Sequence, residues 1–306
     1  IRTRAITPAT QILDAPAVYD QWMPQNYETW RFEGAVRART ALARSINLVA
    51  VRVMEQVGPA SVVGLAQDLG ITSPLEPSLS LALGASEVRP IELVNAYATI
   101  AAGGRFEPTR LIARIEGPND ERVALPAADA PRDVLTPAEA YVVTSMMTSV
   151  ITEGTASAAA ALARPLAGKT GTSNEARDAW FVGYSPRTVC GVWVGFDDRR
   201  PLGRRESGGK SALPIWVHVM RRAERGRAAA DFPRPSGVVT ATIDRTTGLL
   251  AYEGLSNPLE EVFLDGTAPT ESSRAPDVAD SESFLMEQFG EIPAEPTVNA
   301  PTPHAP

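Results

Sequence analysis

Apolar positions along this 306-residue chain change period, and the change divides it into a helical first half and a strand-rich middle. From Val36 the pattern is helical. It breaks at Ser45-Ile46-Asn47 and resumes through Leu48, Val51, Val53, Met54 and Val57 to Gly58, a residue suited to the position just past a helix end. Pro59 and Gly70 bracket the next helix and Pro90 and Gly103 another, each opening on a proline where the first N–H needs no partner. Thr136-Pro137-Ala138-Glu139 reads as a capping box and predicts a helix to about residue 152. Alternation of period two then runs through Asp178 to Tyr184 and Thr188 to Gly195, separated by the turn signal Ser185-Pro186. With Lys169-Thr170-Gly171-Thr172 before them, these runs predict a three-strand antiparallel meander between 166 and 196. Pro214 to Arg222 returns to helical spacing and can pack back on the sheet. Residues 1–34, with Pro8, Pro16, Pro24 and Gly34, are expected to form an irregular surface segment, and Glu116 to Arg132 a decorating hairpin or loop. Helices first and clustered strands later predict an α+β domain, an antiparallel sheet covered by helices.

Composition narrows the function. A hydrophobic content of 44% suffices for a packed core. The net charge of −7 is concentrated at the C-terminal end: residues 267–306 carry seven acidic residues against Arg274 alone, so the remainder is nearly neutral. That distribution excludes the basic face that nucleic-acid binding needs. It also predicts a folded unit over 1–266 followed by an acidic, proline-rich tail that is too polar to order itself. Cys190 is the one cysteine, which excludes an internal disulfide, and its place in an alternating strand makes it a small core residue. His218 sits at helical spacing among Trp216, Val217 and Val219, and His304 lies in the tail. Neither supports a Ser-His-Asp hydrolase, and two histidines with one cysteine give no basis for a zinc site. Asp197-Asp198 before Arg199-Arg200 reads as a charged strand end. The sequence has no run of about 18 apolar residues and opens on no signal peptide.

The chemistry-bearing segment is Lys169 to Thr172. Alternation puts the hydroxyls of Thr170 and Thr172 on one strand face, Gly171 is expected to let a ligand approach the backbone, and Lys169 supplies positive charge. Such a strand edge suits a ligand carboxylate.

This segment, with Ser45-Ile46-Asn47, Ser80 to Val88, Ile243-Asp244, Thr247 to Ala251, Phe263 and Gly266-Thr267, resembles the transpeptidase domain of class A penicillin-binding proteins, whose pattern joins SxxK, SxN and KTG motifs. The resemblance implies a penicillin-binding-protein or serine beta-lactamase-like fold, no cofactor, and acyl transfer from the D-Ala-D-Ala end of peptidoglycan stem peptides, with beta-lactams as inhibitors. Ser45 would relay a proton, Asn47 would hydrogen-bond the substrate amide, and Lys169 would polarise Ser45 and balance the carboxylate. Thr170 and Thr172 would donate hydroxyl bonds to that carboxylate, and the Thr172 N–H would form half of an oxyanion hole. The resemblance also implies a location on the outer face of a bacterial inner membrane, with membrane attachment through an N-terminal anchor that precedes these residues. The family's SxxK serine is expected before residue 1. Lys169 and Lys210 are the only lysines, so Ser207-Gly208-Gly209-Lys210 is the sole internal SxxK. Two glycines in a helical turn cost about 1 kcal/mol each, so that stretch is read as a glycine loop before the helix opened by Pro214. Two other readings fit the same motifs: a pseudoenzyme that binds peptidoglycan peptides or beta-lactams without acylation, and a carboxypeptidase or beta-lactamase relative.

Overall fold

The computed structural model describes residues 1–125 and 130–275. Strands β1 (Gln11–Asp14) and β2 (Gly34–Arg37) form an antiparallel pair that sets Ile12 opposite Val36. Val36 is therefore extended, not helical as its spacing suggested, and residues 1–34 are less irregular than expected. The physical reason is packing: Val36 and Ile12 lie over Ala41, Ile46 and Val49, which a continuous helix could not arrange. Helices α1 (Ala38–Arg44), α2 (Asn47–Val57), α3 (Pro59–Asp68) and α4 (Pro90–Ala101) follow where the sequence put them, two of them with Pro at the first turn. Short strands β3 (Arg105–Phe106) and β6 (Arg132–Asp133) pair around the small hairpin of β4 (Ile115–Glu116) and β5 (Arg122–Val123). Helix α5 (Pro137–Thr152) begins in the predicted capping box, with Thr136 Oγ1 accepting from the Glu139 N–H.

Strands β7 (Ala167–Thr172), β8 (Asp178–Tyr184) and β9 (Val189–Gly195) form the expected antiparallel meander. The register pairs Gly171 with Trp180 and Trp180 with Trp193. Glycines let helices approach this sheet closely: a Cβ on Gly191 would lie 2.3 Å from Val94 of α4. On that face Tyr184 Oη and Thr144 Oγ1 of α5 share a 2.8 Å hydrogen bond. The other face takes α6 (Leu213–Ala223), whose Trp216 meets Phe181 edge-on at 4.9 Å and donates its indole N–H to the Cys190 carbonyl at 2.9 Å. Cys190 packs in this core, and burial pushes its thiol pKa up. Residues Gly208–Ala212, expected as a loop, are instead a wide helical turn continuous with α6. The missing side chain at Gly208 makes this possible, since a Cβ there would sit 2.2 Å from the Trp180 carbonyl oxygen and 2.5 Å from that of Gly171.

Strands β10 (Val238–Asp244) and β11 (Pro258–Leu264) close the chain as a hairpin over Ala9, with Ile243 and Phe263 fully buried. Backbone pairing continues a few residues past Thr267. Leu250 bridges Ser272, donating its N–H to the Glu271 carbonyl at 2.9 Å and accepting the Ser273 N–H at 2.8 Å. Backbone pairing thus holds residues 271–273. The rest of the expected tail, 276–306, lies outside the described residues.

Arg39 joins this hairpin to the helices. Its guanidinium donates to both oxygens of Glu261, at 2.8 and 2.5 Å, and to Ser145 and Ser149 of α5. Arg37 lies 3.5 Å from the same carboxylate, and one of its buried nitrogens has no hydrogen-bond partner. One carboxylate serves two buried guanidiniums, and burial pulls the pKa of Arg37 down. Glu261→Ala should therefore cost about 3–5 kcal/mol, since it leaves buried charge uncompensated. Urea unfolding will measure this, and a loss under 1 kcal/mol would show that water already compensates both guanidiniums.

The break between α1 and α2 is a helix-ending Schellman turn. The Ser45 N–H bonds the Leu42 carbonyl and the Ile46 N–H bonds that of Ala41, with Ser45 left-handed at φ 59°, ψ 47°. Glycine is the usual occupant, and a side chain there costs roughly 1–2 kcal/mol. Ser45→Gly should consequently be about 1 kcal/mol more stable than Ser45→Ala, both having lost the hydroxyl. Equal midpoints in thermal unfolding would remove strain from this account.

Candidate active site

Three chain segments converge on Lys169. The left-handed turn at Ser45 directs its hydroxyl toward β7, while buried Ile46 anchors the turn between Ser45 and Asn47. The loop after α5 lies against the end of α1: the Thr155 N–H bonds the Ala43 carbonyl at 3.1 Å, and a Cβ on Gly154 would be 2.2 Å from that same oxygen. Strand β7 is an edge of the meander and completes the site.

Lys169 Nζ donates to Ser45 Oγ at 2.7 Å and to the Thr170 carbonyl at 3.1 Å. No acidic side chain among the described residues lies within ion-pairing distance of it. Burial without a counter-charge lowers its pKa from 10.5 to about 8. An amine so placed is mostly cationic at neutral pH and can exchange a proton with a serine hydroxyl. It also presents positive charge that nothing else in the site neutralises.

The predicted site residues fall into two groups by position. Ser45, Lys169 and Thr170 are brought into direct contact, with Thr170 Oγ1 hydrogen-bonded to Thr155 Oγ1 at 2.7 Å. Thr172 Oγ1 accepts the Gly208 N–H at 3.0 Å, which leaves its hydroxyl proton free to donate. Asn47 stands at the start of α2, its side-chain amide donating to the Gln25 carbonyl at 2.8 Å. A Cβ on Gly208 would lie 2.5 Å from the Gly171 carbonyl oxygen, and one on Gly171 would meet Trp180 Cβ at 3.1 Å, a tight contact. The lack of a side chain at Gly171 serves this packing. Thr155, Gly154 and Gly208 were missed by sequence reasoning. The available signal was a glycine directly after a well-capped helix, beside a hydroxyl residue.

The Ser207 and Lys210 side chains form no hydrogen bond with each other, their one bond being from the Lys210 backbone N–H to the Ser207 carbonyl at 3.0 Å, and Lys210 is exposed. The described residues hold no cluster of three or more metal-ligating side chains.

Residues 1–221 match the family described as penicillin binding protein transpeptidase domain, and residues 234–275 match that described as penicillin-binding protein 1A, C-terminal domain. Penicillin-binding protein 1A of Aquifex aeolicus is 38% identical over 254 residues, covering 83% of this chain and 34% of that protein. The chain thus spans about a third of that relative's length. The crystal structure of penicillin-binding protein 1A from Haemophilus influenzae superposes with a TM-score of 0.81 at 26% identity, over 89% of this chain and 48% of that one. The PonA1 protein of Mycobacterium tuberculosis in complex with penicillin V superposes with a TM-score of 0.68 at 27% identity, over 76% of this chain and 68% of that one. These matches account for the helix-covered antiparallel fold, and the chain belongs to the penicillin-binding protein transpeptidase domain family.

Proposed function

We propose that this chain supplies the carboxylate clamp and proton relay of a peptidoglycan D,D-transpeptidase, a serine acyltransferase acting on D-Ala-D-Ala stem peptides and inhibited by beta-lactams. The observation that carries the reading is the 2.7 Å contact between Lys169 Nζ and Ser45 Oγ beside an edge strand, with no carboxylate to neutralise the amine. A peptide ending in a free carboxylate would lie along β7, its terminal charge met by Lys169 and by hydroxyl donors from Thr170 and Thr172. Ser45 would pass a proton toward the leaving amine, Asn47 would hold the substrate amide, and the Thr172 N–H would donate to the oxyanion. The penicillin V bound by the PonA1 neighbour supports a beta-lactam as the matching inhibitor class. The proposed reaction would take place on the outer face of a bacterial inner membrane. No single helix among the described residues is long and apolar enough to cross a membrane.

In this reading no residue of the chain is assigned as the nucleophile. The sole SxxK, Ser207 to Lys210, has its lysine exposed and no hydrogen bond between its serine and lysine side chains. Purified alone, the chain should therefore form no covalent adduct with a fluorescent penicillin, whereas the full-length gene product should. An adduct on the isolated chain that disappears in Ser207→Ala would reinstate that motif. A full-length product that binds the label reversibly without acylation would favour the pseudoenzyme reading. In the acylating protein, Lys169→Ala should slow acylation roughly ten- to a hundredfold, from loss of a charged hydrogen bond worth about 1.5–3 kcal/mol. A change under twofold would remove Lys169 from the site.

The lowered pKa of Lys169 has a consequence for stability as well. Its folded pKa of about 8 lies below its ordinary 10.5. Below pH 8 both folded and unfolded chains carry the proton and the burial penalty is present in full. Between about pH 8 and 10.5 the unfolded chain holds more protons, so this group's contribution to stability rises with pH, by at most about 3 kcal/mol. Urea titrations at pH 7, 8, 9 and 10 should show the unmutated chain gaining on Lys169→Met across that window. Parallel pH curves for the two would mean that the amine is fully hydrated.

A further inference from the structure

The segment between β1 and β2 folds back onto the start of α2, and its hydrogen bonds end on the SxN motif. Asp14, 1% exposed at the end of β1, accepts from Asn26 Nδ2 and from the Glu33 N–H, both at 2.8 Å. Asn26 Oδ1 in turn accepts the Leu48 N–H at 3.2 Å. The next residue back, Gln25, receives the Asn47 side-chain amide on its carbonyl at 2.8 Å. Helix α2 needs this help. Its N-cap position is Ile46, which has no side-chain acceptor, so its first free N–H groups would otherwise lack a partner. Asn26 provides from a distance what Ser, Thr, Asp or Asn provides locally at other helices.

Two features separate this arrangement from ordinary loop anchoring. The bonds fall on consecutive residues, Asn47 and Leu48, one of them the SxN asparagine itself. And a carboxylate is almost wholly buried to hold the asparagine that makes one of them, a costly use of charge unless its oxygens are satisfied, as they are here. We propose that Asp14 and Asn26 are positioning residues: they fix α2's first turn, and with it the direction of the Asn47 side chain beside Ser45. They touch neither substrate nor reacting atoms. The inference rests on the transpeptidase reading for its catalytic consequence and on the geometry alone for its structural one.

In the full-length gene product, Asn26→Ala and Asp14→Ala should each slow acylation by penicillin about ten- to a hundredfold, the range expected when a catalytic group is misplaced by a fraction of an ångström to 1 Å. The reversible binding constant that precedes acylation should change by less than about threefold, because Lys169 and the β7 threonines are untouched. The double exchange Asp14→Asn with Asn26→Asp keeps a donor on one side and an acceptor on the other, still accepts both the Glu33 and Leu48 N–H groups, gives up only the long 3.4 Å bond from Asn26 Nδ2 to the Arg31 carbonyl, and should restore a measurable part of the rate. Single variants that acylate at the unmutated rate, or whose loss matches only their unfolded fraction with no recovery in the double exchange, would overturn the proposal. If the unmutated product does not acylate, the transpeptidase reading has failed, and the clamp is decided on the 306-residue chain by amide exchange. Asn26→Ala should speed exchange of the Leu48 N–H and the Asn47 side-chain amide at least about tenfold while leaving the β10–β11 amides unchanged, and unaltered rates at both groups would refute it.

Discussion

An amine kept out of water with no carboxylate to pair with is an expensive object, and much of the architecture around Lys169 serves to hold one. A free lysine would rotate its four-carbon stem into solvent. Here Ser45 Oγ and the Thr170 carbonyl fix the nitrogen, and burial alone accounts for the drop in its pKa to about 8. That requires a hydroxyl delivered from 124 residues away and a strand edge that is left open. Each is secured by a feature of low tolerance. Ser45 takes a left-handed conformation that most residues avoid, and Gly154 admits the Thr155 loop against the Ala43 carbonyl.

Support for the site comes from behind it. Arg39 lies in α1, six residues before Ser45, and its bonds to Glu261, Ser145 and Ser149 tie that helix to β11 and α5. The C-terminal hairpin is thus part of the same mechanical unit as the helix that presents Ser45. The further pairing of residues 271–273 with Leu250 extends that unit past the last apolar cluster. A buried ion pair of this kind is a weak source of net stability but a strong constraint on arrangement, because a shift of either partner exposes buried charge.

How much of this could be read from the sequence depends on the range of the interaction. The capping box at Thr136, the prolines opening α3 and α4, and the alternation in β8 and β9 are local signals, and they gave those elements correctly. Ser45, Asn47 and Lys169 are named from the resemblance their motifs carry, and of these the structure brings Ser45 and Lys169 into contact. Val36 was misread because its spacing fits a helix equally well, and only its partner Ile12 decides for a strand. Gly171 also sits tightly against Trp180, a cross-strand contact invisible in one strand's sequence. Gly208 was misread because its cost in a helical turn was counted, but the backbone it lies against was not. The Asp14–Asn26 link spans a segment whose polar residues look like those of any surface loop, and nothing in their order says where they bond.

The uncompensated charge also ties ligand preference to the position of a proton. A carboxylate arriving beside Lys169 favours the charged amine and raises its pKa back toward 10.5, just as a neighbouring anion does within a protein. By linkage, the same ligand binds more tightly to the protonated site than to the neutral one, so affinity falls as pH rises past the free-site value near 8. A neutral peptide end gains nothing from this coupling and meets a dehydrated cation that it cannot offset. On the proposed function, selection for a free carboxylate needs no dedicated arginine: one lysine, largely buried and unpaired beside a serine hydroxyl, would discriminate by charge and hold a proton beside Ser45 while the carboxylate is bound.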